Sequence, residues 1–212
     1  MLESVERPAG GEPQGILVLS HGRGSHEGDL IGLADILDPE GRLLVVAPRA
    51  PLQLPGQPGY HWYIVPQVGY PDPETFTAAK QALADFQDDL WERTGLGPAQ
   101  TLLGGFSMGS VMSFALGLDA ERPAPAGLLC FSGFIPTVEG WQPSFSDRAT
   151  LPAFIAHGAY DPVIPVEYSQ IAQRKLVAAG LPVEYHEFAG DHTIDLAVLP
   201  AAAEFANQAL FG

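Results

Sequence analysis

An α/β architecture, a mostly parallel central sheet with helices on both faces, is predicted by two features of the 212-residue sequence. Apolar runs of strand length recur along the chain, and the segments between them carry helical periodicity. The runs are GILVLS at 15–20, LLVVAP at 43–48, TLLGGF at 101–106, GLLCFS at 127–132, PAFIAH at 152–157 and PVEYHEF at 182–188. Most read as strands buried on both faces, the state of parallel strands flanked by helices. Phe76, Ala79, Leu83, Phe86 and Leu90 recur at steps of three and four, behind an Asp72-Pro73 start that supplies an N-cap and a proline at the first helical position. A second helix is expected from Pro165 to Ala179, stopped by Gly180, and a third through the alanine-rich tail after His192. Right-handed crossovers between such strands leave ligands to bind beyond the strands' carboxyl ends. With no internal repeat and no break in composition, residues 1–212 are expected to form a single domain, with 1–14 as a flexible N-terminal segment.

A hydrophobic fraction of 46% suffices for a sizeable core, and the formal net charge of -15 speaks against two classes of partner. It repels phosphate backbones and anionic headgroups, and no local cluster of Lys or Arg offsets it, so neither nucleic-acid binding nor membrane insertion is expected. The acidity itself reads as a solvated surface. The opening MLESVERPAGGEPQG has three glutamates and no apolar signal core, and no aliphatic run exceeds strand length. Cys130, the only cysteine, lies in an apolar run and reads as a buried thiol, which fits a reducing cytoplasm.

Chemistry is concentrated in three segments. Gly105-Phe106-Ser107-Met108-Gly109 matches G-x-S-x-G directly after a strand and directly before the helix-like MGSVMSFALGL. The motif needs that context, because its serine sits on a strained turn and flanking glycines keep strand and helix from colliding. Ser20-His21-Gly22-Arg23-Gly24 follows an earlier strand, where an α/β hydrolase places a loop whose backbone N–H helps bind the oxyanion. Arg23 and Met108 are the expected N–H donors.

A serine hydroxyl needs a base within hydrogen-bond reach and an acid to orient that base. His192, in AGDHT after the last strand, and Asp161, in HGAYDPVIP after the preceding one, complete the order Ser, Asp, His that the α/β-hydrolase fold requires. The other histidines have plainer readings. His21 belongs to the oxyanion loop, His157 braces the acid loop, and His26, His61 and His186 read as loop or surface residues. Asp191 and Asp195 compete with Asp161, but Asp191 adjoins His192 in sequence and lines up poorly with Nδ1 of that ring.

The whole chain resembles the phospholipase/carboxylesterase family of small, lid-less α/β hydrolases, which includes acyl-protein thioesterases and bacterial carboxylesterases. The resemblance rests on HGRG at 21–24, APRAP at 47–51, GYHWY at 59–63, GFSMG at 105–109, FSGF at 131–134, HGAYDPVIP at 157–165 and GDHTI at 190–194. It implies hydrolysis of carboxylic esters or thioesters without metal or cofactor, through Ser107, Asp161 and His192 with backbone donors at Arg23 and Met108. One departure is visible: many members carry glutamine after the nucleophile, where this chain has Met108.

The function expected is therefore a serine carboxylesterase acting on small ester substrates through an acyl-enzyme. A thioesterase or lysophospholipase of the same family is the alternative, and a hydrolase-fold binding protein without turnover is a third. The strands ending near Ser132 and beginning near Pro152 are separated by about twenty residues, too few for a multi-helix cap. The site is thus expected to be open, rimmed by aromatics of the irregular stretches 49–70 and 133–149. Trp62, Tyr63, Trp141 and Phe145 are the expected substrate-binding residues, with Tyr60 and Tyr70 beside them, unless those rings pack on one another instead.

Overall fold

A computed structural model of the chain describes residues 1–212. Strands β1 (Ser4–Arg7), β2 (Gly15–Ser20) and β3 (Leu43–Pro48) precede β4 (Thr101–Phe106), β5 (Gly127–Phe131), β6 (Ala153–Gly158) and β7 (Val183–Phe188). Helices α1 (Ala34–Leu37), α2 (Pro73–Thr94), α3 (Met108–Gly117), α4 (Glu167–Ala178) and α5 (Leu199–Phe211) lie between and after them. The seven strands form one sheet in the order β1-β3-β2-β4-β5-β6-β7. Every neighbouring pair is parallel except β1 with β3.

Residues of β2 to β6 are buried almost without exception. Both faces of the sheet are covered, so both sides of each pleat have to be apolar. On one face α2, α3 and α4 pack over Val18, Leu103, Leu128 and Ile155; on the other α1 and α5 cover Leu17, Val45, Leu129 and Phe154. The long helix α2 begins where Asp72 accepts the Thr75 N–H at 2.9 Å and stops at Gly95, whose left-handed φ of 70° ends the helix. No helix is long and apolar enough to cross a membrane.

The expectation of a flexible segment over 1–14 is corrected at β1. Ser4–Arg7 pairs antiparallel with β3 at the sheet edge, and it is fixed by charge rather than by apolar side chains. Arg7 donates to Asp38 at 2.7 Å and to the Leu43 and Ala34 carbonyls, Glu6 pairs with Arg93, and Glu3 pairs with Arg49 at 2.5 Å. The short helical segment from Ile31 to Leu37 also went unpredicted. Between β5 and β6 the chain forms no helix.

Candidate active site

At the carboxyl end of β4 the chain turns into α3 within one residue, and Ser107 is that residue, at φ 55° and ψ −118°. L-residues rarely occupy that region, so the turn holds about 1–3 kcal/mol of strain. Its neighbours show why it needs glycine on both sides. A Cβ on Gly109 would overlap the Ser20 carbonyl, and one on Gly105 would lie 2.5 Å from the Gly109 carbonyl carbon. Ser107 is anchored by its own N–H, which donates to the Phe131 carbonyl at 2.8 Å.

Three loops, after β4, β6 and β7, bring Ser107, Asp161 and His192 together. His192 Nε2 lies 2.9 Å from Ser107 Oγ, and its Nδ1 lies 2.6 Å from Asp161 Oδ2. A carboxylate accepts only, so Nδ1 carries the proton and Nε2 is left to accept from the serine hydroxyl. The ring also rests against Phe106, with centroids 4.8 Å apart. Burial alone would raise the Asp161 pKa. The hydrogen bonds from His192 and from the Ile164 and Val163 N–H groups outweigh it and hold the carboxyl below the usual carboxylate range. Asp191 is exposed, and Asp195 caps the turn before α5 by accepting from the Ala197 N–H at 2.8 Å.

Arg23 and Met108 line the same cavity as Ser107. Met108 opens α3, where a first-turn N–H has no partner within the helix, and the Arg23 N–H makes no backbone hydrogen bond. The loop bearing Arg23 is braced from below. His21 is buried, with Nε2 accepting the Ala50 N–H at 3.0 Å and Nδ1 donating to the Gly22 carbonyl at 2.7 Å. That pairing fixes a neutral tautomer, and burial lowers the ring's pKa accordingly. The Trp62 Nε1–H donates to the His21 carbonyl at 2.9 Å. Met108 follows the nucleophile, and its Sδ accepts the Trp62 N–H at 3.2 Å. The thioether thus supplies the acceptor that a buried backbone donor needs.

The cavity in front of Ser107 has a volume of about 330 Å³. Its apolar walls are Tyr63, Val65, Val68, Phe134, Val163 and Ile164. Among the expected substrate-binding residues, Tyr63 lies on this wall and three do not. Trp62 is fully buried behind the oxyanion loop, Trp141 packs on Phe76 at 6.0 Å, and Phe145 lies against the core. The indole N–H of Trp62 reaches the His21 carbonyl, which lets that ring bury completely, whereas the indole N–H of Trp141 is buried without a partner. Tyr60 lies under the Arg49 guanidinium, and Tyr70 borders a neighbouring hollow. His61, read from sequence as a loop or surface residue, is buried, while the half-buried His186 stacks on Phe154 from within β7. The wall residues come from three separate loops, and in sequence only the apolar character of VPQV and DPVIP marks them. Cys130 is buried and its thiol is pushed up to about 12 by burial, so it takes no part in nucleophilic chemistry near neutral pH. No three His, Cys, Asp or Glu side chains are gathered in a way that could hold a metal ion.

A doubly covered, mostly parallel sheet with an elbow serine at a strand end and a histidine and an acid on later loops defines an α/β hydrolase. The sequence profile of the phospholipase/carboxylesterase family matches residues 2–210, and the chain belongs to that family. The solved esterase PE8 is 33% identical and superposes with a TM-score of 0.85 over 99% of both chains. MhqD of Bacillus subtilis, named as a hydrolase, is 26% identical over 200 residues, 94% of this chain and 96% of its own. Acyl-protein thioesterase 1 of Emericella nidulans is 28% identical over 89 residues, 41% of this chain and 37% of its own. The chain is an esterase-type hydrolase, with carboxylesterases and thioesterases among its relatives.

Proposed function

We propose that the chain acts as one domain, a serine carboxylesterase that hydrolyses short to medium acyl esters through an acyl-enzyme. The observation that carries this reading is the hydrogen-bonded series from Asp161 through His192 to Ser107, at 2.6 and 2.9 Å, opening into an apolar cavity. Ser107 Oγ attacks the ester carbonyl as His192 Nε2 takes the hydroxyl proton, and the Arg23 and Met108 N–H groups stabilise the oxyanion. Collapse of the tetrahedral adduct breaks the bond to the alcohol oxygen, which leaves with the proton from His192 and an acyl-serine behind it. Water then repeats the sequence, giving up a proton to His192 and releasing the acid. Asp161 stays ionised throughout and holds the ring in the tautomer that both steps need. A single cysteine with a buried thiol is in keeping with a cytoplasmic setting.

Only a neutral imidazole can take the serine proton, so kcat/KM should rise with pH through one ionisation. The depressed pKa of Asp161 keeps the acid charged across that rise, so no second acid-side step is expected. A flat profile between about pH 5 and 9 would count against an imidazole base.

A volume of about 330 Å³ is at the small end of ligand sites. Each buried methylene contributes about 0.8 kcal/mol until the wall ends, after which further carbons add nothing. The expected kcat/KM optimum over a p-nitrophenyl ester series therefore falls at roughly two to eight acyl carbons, on the same burial argument. No jump in rate is expected when substrate aggregates, since the stretch between β5 and β6 carries no helix to serve as a lid. A maximum at palmitate, or faster turnover of matched thioesters, would favour the lysophospholipase or thioesterase alternative.

A further inference from the structure

His157 is a fully buried imidazole at the end of β6, beside the triad and without a part in the chemistry described above. Its Nε2 lies 2.9 Å from the Ile164 carbonyl oxygen and 3.2 Å from Asp161 Oδ2. Both of those atoms accept only, so Nε2 carries the hydrogen, which bonds the Ile164 carbonyl and lies beside the carboxylate oxygen. We infer that His157 is a positioning residue for Asp161: its Nε2–H fixes the direction in which the carboxylate faces His192. The inference rests on the reading of Ser107, His192 and Asp161 as the reacting set.

The hydrogen-bond count of the carboxylate carries the argument. Oδ1 accepts from the Val163 and Ile164 N–H groups, each at 2.8 Å, Oδ2 accepts from His192 at 2.6 Å, and His157 Nε2 stands 3.2 Å from that same oxygen. Three of the four lone-pair sites are filled by hydrogen bonds, and the fourth faces the His157 N–H, so any rotation of the group breaks a bond or leaves that contact. His192 is the only one of the four donors that must move or change charge during turnover. The other three hold the acid while it does so, and His157 is the only one of those three on the oxygen that His192 uses.

The His157 ring also stays a donor. Its Nδ1 is buried without a partner, so a second proton there would be an unpaired N–H in a dry interior. Burial lowers the ring's pKa and outweighs the opposing pull of the Ile164 carbonyl and Asp161, while His192 on the far side of the acid acts in the same sense as burial. Glu187, its partner across β7, faces solvent and is engaged by Gln170 and Tyr185 at 2.8 Å each. A neutral His157 donates to Asp161 without cancelling the negative charge that the His192 cation needs.

A competing account is that His157 only satisfies the Ile164 carbonyl, to which its contact is shorter. Kinetics of the full chain on a soluble short-chain p-nitrophenyl ester separate the two, with Tm measured on each variant. His157→Leu should lower kcat by about 10- to 100-fold with KM little changed, the scale of loss when an outer hydrogen-bond partner that orients a functional ligand is removed from a metal site. His157→Gln, whose amide N–H can reach the same acceptors, should recover most of that loss. In an Asp161→Asn background the same leucine change should cost less than about twofold, because the group it acts through is gone. A folded His157→Leu enzyme at full kcat overturns the inference. So does an undiminished loss in the Asp161→Asn background, or a stable glutamine variant as slow as leucine. Should the leucine variant fail to fold, the wild-type ring settles the matter: the ¹⁵N-bound Nε2 proton of His157 must shift on Asp161→Asn, and an unmoved resonance overturns the inference. An active Ser107→Ala enzyme would instead remove the reading beneath it, and the positioning role with it.

Discussion

Ser107→Ala is expected to leave a folded protein with about a millionth of the wild-type kcat, the loss seen when a triad loses its nucleophile. The substitution removes one oxygen and leaves the backbone donors at Arg23 and Met108 intact, so residual turnover reports oxyanion stabilisation without covalent chemistry. Thermal unfolding should be nearly unchanged, because alanine pays the same steric cost as serine at φ 55°. Ser107→Gly is equally inactive on this account but more stable than Ser107→Ala by about 1 kcal/mol, since glycine relieves the strain of the elbow. Retained esterase activity in pure Ser107→Ala protein would end the assignment of the nucleophile. Equal stability of the two variants would show that the turn is not strained.

Asp161→Asn should lower kcat by about 10⁴-fold while the loop around it survives. The amide oxygen of asparagine can still accept the Val163 and Ile164 N–H groups now bound at 2.8 Å. The amide nitrogen then faces His192 Nδ1, now 2.6 Å from Oδ2, and favours the wrong tautomer of the ring. Asp161 has two jobs, turn and triad, and asparagine removes only one. Asp191→Asn at an exposed position should change kcat by less than about twofold, in line with other surface substitutions. The reverse ranking would transfer the acid's role to Asp191.

The inner strands and the reacting residues were readable for the same reason. Strands buried on both faces leave long apolar runs, and a nucleophile elbow leaves glycines flanking its serine. Both are local constraints written in consecutive residues. β1 was unreadable because SVER is held by three ion pairs, to Asp38, Asp35 and Arg93, with a fourth from the preceding Glu3 to Arg49, and partners distant in sequence leave no mark on the strand itself. The cavity walls were missed for a related reason. Val65, Val68, Phe134 and Ile164 are unremarkable apolar residues until separate loops bring them to Ser107. Trp62 drew attention as a large ring in an irregular segment, yet a tryptophan whose N–H meets the His21 carbonyl has no reason to remain at the surface.

The loops around the cavity are unequal in what they leave free to change. Val65, Val68 and Phe134 border it from segments that hold none of the three reacting side chains. Replacing them would reshape the room for the acyl group and leave the proton path as it is. Ile164 borders the same space, but its N–H donates to Asp161 and its carbonyl accepts the hydrogen bond of His157 Nε2. A library that varied all four together would confuse altered selectivity with damaged chemistry, whereas one confined to the first three would let substrate preference drift on an undisturbed engine.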